Sequence, residues 1–348
     1  MKKFLERQKI DTFEKAIIGT VAYFDLFDFP LKEEELKAYL LRYKKTFYGG
    51  RHTIFERLYS LKRENVYASL RKVNNYYTLK DRENIITIRQ EREIRSKKLW
   101  KKIQFFGSIL SVVPFVRLVA VCNNLAYNNA SGKSDIDLFV ITDRNYLFLA
   151  RFLVTFLLHI SGVRRHGKHV YGRFCLSFFI NENHLNLEKI VLSPQDIYLA
   201  YWMRTLKPLF GQKTYQKFLE ANEKWLKDYF DCPHDHLKNL ISSPANLSGN
   251  HNLHLSIKND EIEINPLFAI QKIFEFIIKI FFGFLIEKGL KAWMKKRAEK
   301  KAKKLNKTFP FVVIEDNILK FHDKDRREEF QKKWEESLKK LYKKTYMG

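Results

Sequence analysis

VCNNLAYNNASGKSDIDLFVIT, Val121 to Thr142, is the stretch on which the reading of this chain turns. It ends in an apolar run, LFVIT, entered through two aspartates one residue apart, Asp135 and Asp137. Side chains of a strand alternate faces, so the two carboxylates point the same way while Ile136 points into a core. Two carboxylates side by side repel one another, and together they form a hard oxygen site for Mg²⁺. A buried strand behind them holds the ligands at the rim of a core rather than on a mobile loop. Such a pair can hold one or two ions, which bridge a triphosphate and neutralise charge as a phosphoryl bond breaks. Upstream, VRLVAVCN reads as a strand that breaks at Asn123, with a helix starting near Asn124. A helix N-terminus directs N–H groups at an anion, which leaves room for a triphosphate between that start and the aspartates. The plainer alternative is a strand entered by solvated acids, with Ser131 or Ser134 as a cap.

Strand, short helix, then a strand bearing Asp-x-Asp resembles the DNA polymerase β-like nucleotidyltransferase superfamily, whose signature is a Gly-Ser pair followed at similar spacing by the two aspartates. Here Asn123 and Asn124 stand at the Gly-Ser position, and ten residues, Leu125 to Ser134, separate them from Asp135. AYFDLFDFPL before the motif, and GRFCLSFFI, DIYLAYWMRTLKP and LKFHDKDRR after it, resemble uncharacterised bacterial members. The resemblance implies transfer of a nucleoside monophosphate from an NTP to a hydroxyl. It implies Mg²⁺ on Asp135 and Asp137, and a triphosphate pocket lined by Asn123, Asn124 and Ser134.

Two departures from the signature matter. Asparagine lacks the freedom of glycine, although it tolerates left-handed backbone and can donate from its amide. Losing one good donor to a charged phosphate costs about 1.5–3 kcal/mol. The superfamily also adds a third carboxylate from a neighbouring strand, and the candidate strand GRFCLSFFI has none. Cys175 and Ser177 would face the site there, and Glu182, just past the strand, is the nearest substitute. Loss of a general base costs on the order of 10²–10⁴ in rate.

The rest of the chain sets the frame. Its 348 residues, 45% hydrophobic and 15% aromatic, suit two or three folded domains. Three regions separate by pattern. Residues 1–100 read as a winged-helix-like unit (three helices, then strands VYASL and YYTLK around RKVNN) with a helical connector. Residues 101–194 read as an α/β nucleotidyltransferase-like core with a small mixed sheet. Residues 195–348 read as mostly helical, including PQDIYLAYWMRTLKPLF and a possible short strand FVVIEDN. The expected fold class is therefore α+β or α/β. No Walker loop, GxSxG elbow, HExxH or GxGxxG occurs.

A formal charge of +25 attracts polyanions, either nucleotides, RNA or DNA, or an anionic membrane surface. It is also what a Lys-rich proteome would give without function. HISGVRRHGKHVYGR offers Arg165 and Lys168 as phosphate grips beside the site, or simply a solvated loop; its histidines match no zinc spacing. Arg51, His52, Arg57, Lys62 and Arg63 on the third helix, and Arg71 and Lys72 at the wing tip, are candidate nucleic-acid contacts. Asp323 or Asp325 reads as the cap of the last helix.

Leu267 to Ile286 has nearly the length of a membrane span but carries Lys272, Glu275 and Lys279 along one helical face. A helix packed on the protein is expected there. Membrane contact is the lesser alternative, kept open by the basic run Lys291 to Lys307. Cys122, Cys175 and Cys232 show no CxxC spacing, and MKKFLERQKI lacks the apolar run of a leader. Free thiols and a cytoplasmic location are the expectation. The main rival to an enzyme is a catalytically degenerate transferase fold that binds nucleic acid.

Overall fold

The structure is a computed structural model that describes residues 12–42, 69–230, 266–281, 283–304, 312–321 and 325–347. It is mixed α+β with two sheets. Among the described residues no helix is long and apolar enough to cross a membrane.

The N-terminal part begins with α1 (Thr12–Asp25), β1 (Leu31–Lys32) and α2 (Glu33–Tyr39). Strands β2 (Leu70–Val73) and β3 (Tyr76–Leu79) close a three-stranded antiparallel sheet of order β1-β3-β2. The expected gap RKVNN shrinks to Asn74-Asn75, because Arg71 to Val73 pair with β3. Both asparagines adopt left-handed backbone, φ 46° and 71°, as a two-residue type I′ hairpin demands. Asn75→Gly should therefore raise stability by roughly 0.5 kcal/mol, read as a higher urea midpoint. Lys72 is not a free wing-tip cation: it pairs with Glu33 at 3.0 Å and lies over the Tyr77 ring. The candidate recognition-helix residues Arg51 to Arg63 lie outside the described residues.

The long helix α3 (Ile85–Leu110) then runs to the main sheet. Its Arg89, 2% exposed, is ion-paired to Glu35 and Glu93, donates to the Pro30 carbonyl, and fixes α3 to α2.

The main sheet has β4 (Val116–Val121), β5 (Ile136–Thr142), β6 (Phe174–Asn181), β7 (Lys207–Phe210), β8 (Val312–Ile314) and β9 (Ile318–Phe321) in the order β7-β4-β5-β6-β9-β8. Only β5 and β6 are parallel, joined across α4 (Leu147–Ile160). Residues on one face, among them Leu118, Ala120, Phe139, Ile141 and Phe178, pack under α1, α5 (Ile197–Thr205) and α6 (Gln212–Leu226). The alternating residues Val119, Val121, Leu138, Val140 and Phe179 pack under α3 and α4. Both faces are covered, which is why the central strands read as unbroken apolar runs.

Three of the six strands come from beyond residue 194, so the sheet is not contained in residues 101–194. FVVIEDN supplies β8. KPLF, read as the end of a helix, is edge strand β7: α5 stops at Thr205, since Pro208 disfavours helical backbone at Lys207 and offers no N–H. The C-terminal helix α9 (Arg327–Met347) returns to α1, with the Trp334 indole donating to the Gly19 carbonyl at 2.8 Å. Asp325 accepts the Arg327 amide at 3.1 Å, as its cap reading expects, and Asp323 lies outside the described residues.

Two helices, α7 (Pro266–Ile280) and α8 (Gly283–Lys304), lie against the α3–α4 side. A helix packed on the protein is what the sequence reading expects at α7, and the face that α7 turns inward is its polar one. Gln271 and Glu275 face the protein, only 3% and 2% exposed, while the apolar residues between them face out.

Candidate functional site

Asp135 and Asp137 lie at the entry of β5, a central strand of the main sheet. The backbone there is fixed on both sides. The Cys122 amide donates to the Asp137 carbonyl at 3.1 Å, and the Ile136 amide to the Arg173 carbonyl at 2.8 Å. With Ile136 and Leu138 buried in the α3–α4 layer, Asp137 points to the opposite face, toward α5. Cys175 is its register partner on β6. One ligand atom from each of Asp135, Asp137 and Cys175 falls within 4.8 Å of the others. Among the described residues these three form the group able to share a metal ion.

Asn123 joins them. Its Nδ2 donates to Asp137 Oδ2 at 2.8 Å, and its Oδ1 accepts the Tyr198 hydroxyl at 3.2 Å. Asn123 has φ +59°, left-handed backbone of the kind that Gly or Asn tolerates. It opens a 3₁₀ turn, Asn123–Tyr127, where the sequence suggests a helix start. Asn124 is turned elsewhere: its Oδ1 accepts the Tyr127 hydroxyl at 2.5 Å.

Arg165 also reaches the site, donating from Nη1 to Asp135 Oδ2 at 2.6 Å and approaching Cys175 Sγ at 3.8 Å. Its amide donates to the Phe174 carbonyl, which holds this part of the loop beside β6. Lys168 is exposed at the tip of the His166–His169 turn. Ser134 uses its hydroxyl locally, accepting the Ser131 amide at 2.9 Å, so it shapes the approach to Asp135.

Glu182 is not at the site. In the parallel β5–β6 pair Asp137 matches Cys175 and Thr142 matches Asn181. Glu182 follows Asn181, at the far end of the strands, about 20 Å away at roughly 3.3 Å per residue. The residue beside the aspartates is Cys175.

Electrostatics mark Asp137. Burial, and then the neighbouring Asp135 charge, raise its pKa to about 6 against the pull of the Asn123 amide. Burial and the two carboxylates push the Cys175 thiol up to about 12, so it is neutral near pH 7.

The layer over this face was not legible as part of the site. Asp196 caps α5 by accepting the Leu199 amide at 2.9 Å and is paired with Arg327 at 2.8 Å. That places Tyr198 over Asn123, with its ring stacked on Phe330. Tyr23 of α1 and Phe27 in the turn after it, with Tyr127, Tyr198 and both asparagines, line a cavity of about 20 Å³. That is room for a water molecule and not for a base. The one hint in the sequence is the recurrence of aromatics at helical spacing in AYFDLF and IYLAYW.

Compared with protein-family models, with curated proteins and with solved structures, the chain finds no match.

Proposed function

We propose that the chain is a metal-dependent nucleotidyltransferase of the DNA polymerase β-like kind, moving a nucleoside monophosphate from an NTP to a hydroxyl. The observation that carries this reading is the Asn123–Asp137 hydrogen bond, because it joins the turn after β4 to the carboxylate pair. The donor set fits a hard cation in part. Two carboxylates on one face, one with a raised pKa, are what Mg²⁺ would relieve. Cys175 is a soft, neutral ligand and adds no third oxygen. Asp135 and Asp137 would hold the ion, which when bound would neutralise charge on the triphosphate. Arg165, released from Asp135, would donate to phosphate oxygens. The 3₁₀ turn at Asn123 would orient the phosphates, and α1, α2 and the β2–β3 hairpin would form the winged-helix-like unit.

A second reading has its own support. The side-chain oxygens of Asn123 and Asn124 already accept tyrosine hydroxyls, and the aromatic layer beside them leaves water-sized space. That arrangement suits a degenerate core which binds RNA or DNA through basic surfaces. Calorimetry with ATP and GTP, with and without Mg²⁺, separates the two. Metal-dependent binding is the expected result. No heat up to millimolar nucleotide, together with salt-sensitive RNA or DNA binding, would leave the second reading standing.

A further inference from the structure

Helix α7 is amphipathic the wrong way round for a water-facing surface, and the first turn of α8 continues its exposed apolar face. Polar groups dock them on the protein, beside Ile278, Leu290 and Met294, which pack on the core. Gln271 Nε2 donates to the Val113 and Val116 carbonyls at 2.8 and 2.9 Å. Glu275 is paired with Arg117 at 2.6 Å. Glu287 accepts the Phe148 and Leu149 amides at 2.9 and 2.7 Å, at the N-terminus of α4. Most of the apolar groups of α7 and of the start of α8 face water: Ile273, Phe276, Ile280, Phe281, Phe284 and Leu285 are each 59–66% exposed. A run of aromatic and aliphatic side chains this dense on one surface calls for a cover.

Charge identifies the cover. α8 carries nine Lys or Arg against two Glu, and one of those acids, Glu287, is spent on α4. The cations follow the apolar run directly. Lys288 lies over the Phe284 ring, and Arg297 over the ring of Trp293, itself 49% exposed. Apolar residues, then an exposed tryptophan, then a basic collar are the parts of an interfacial helix that lies in an anionic membrane surface. A protein partner of ordinary composition would bury the apolar face without using the collar, and nucleic acid would use the collar without the apolar face. We infer that α7 and α8 dock this protein on the surface of an anionic lipid bilayer, with the apolar residues among the acyl chains and the α8 cations at the headgroups, and without spanning it.

The test is flotation of the full chain with phosphatidylcholine vesicles, with and without phosphatidylglycerol. Two variants change only exposed positions, so the fold stays intact: Phe276→Ser with Phe281→Ser and Leu285→Ser, and Lys296→Glu with Arg297→Glu and Lys300→Glu. The wild type is expected to float with anionic vesicles only. Each variant should lose at least about 100-fold in partitioning, since one cation near such a surface is worth roughly fivefold. Flotation that neither variant weakens overturns the inference. So does a wild type that fails to float and sediments as a dimer which the serine variant dissolves, because a second copy would then be the cover. RNA binding lost in the glutamate variant, without flotation of the wild type, overturns it equally.

Discussion

Asp137→Asn should abolish metal-dependent nucleotide binding and at the same time make the apo protein more stable. A change that merely re-orients a metal ligand costs about 10–100-fold in affinity, so removing the ligand charge should exceed about 100-fold in the calorimetric experiment. The gain in stability follows from the raised carboxyl pKa. Burial and the Asp135 charge lift Asp137 to about 6, whereas an unfolded aspartate titrates near ~3.9. Through that window the folded state holds the extra proton, so Asp137 costs stability above pH 6 and the cost fades as pH falls toward 4. Asparagine is uncharged throughout and can still accept the Asn123 amide. The variant should therefore be about 1–3 kcal/mol more stable than wild type at pH 7.5, the gap closing by pH 4–5, as read by urea unfolding at each pH. Mg²⁺ and the proton compete for the same oxygens, so nucleotide binding by the wild type should weaken by about tenfold per unit below pH 6. An Asp137→Asn protein that binds Mg·NTP as well as wild type would remove the site assignment, and an unchanged stability would remove the electrostatic account of it.

The parts of this structure that were legible are those whose cause is local. LFVIT is a strand buried on both faces, and alternation alone places Asp135 and Asp137 together and Ile136 opposite. Cys175 could be read as facing the site from the same alternation on GRFCLSFFI. What was missed depends on partners far off in sequence. KPLF is a strand because β4 offers it an edge, about ninety residues from where β4 begins, and β9 pairs with β6 across a still longer stretch of chain. Glu182 looked near because it ends the right strand, but in a parallel pair the end of one strand lies beside the end of the other, not its start. The layer of α1 and α5 aromatics over Asn123 is a packing event between helices that periodicity identifies singly and cannot pair. Helix α7 shows the same limit. Spacing puts Gln271, Glu275 and Ile278 on a common side, and nothing in the spacing says whether that side meets protein or solvent.

That inversion makes Glu275→Ala a strongly destabilising change. Glu275 accepts the Phe115 amide at 2.8 Å and both terminal nitrogens of Arg117, at 2.6 and 3.1 Å. Phe115 has φ +66°, a left-handed backbone that a bulky residue adopts only when its surroundings hold it there. Truncation leaves that amide unpaired and leaves Arg117, 15% exposed, with Asp143 alone. Breaking a buried pair in this way costs about 3–5 kcal/mol, and the urea midpoint should drop accordingly. Glu275→Gln keeps one acceptor oxygen, which can serve the Phe115 amide and one Arg117 nitrogen, and should lose less. The pH dependence has a defined sign. Burial acts to raise the Glu275 carboxyl, but Arg117 and the Phe115 amide outweigh it and hold the group below its usual range. Its contribution is therefore full above the unfolded value of ~4.3 and is lost as pH falls through the lower folded one, so wild type and Glu275→Ala should converge in acid. The exposed apolar residues are untouched by either substitution. Hydrogen exchange in α7 should accelerate in Glu275→Ala while flotation on anionic vesicles persists, because docking on the protein runs through the polar side of the helix and docking on lipid through the other.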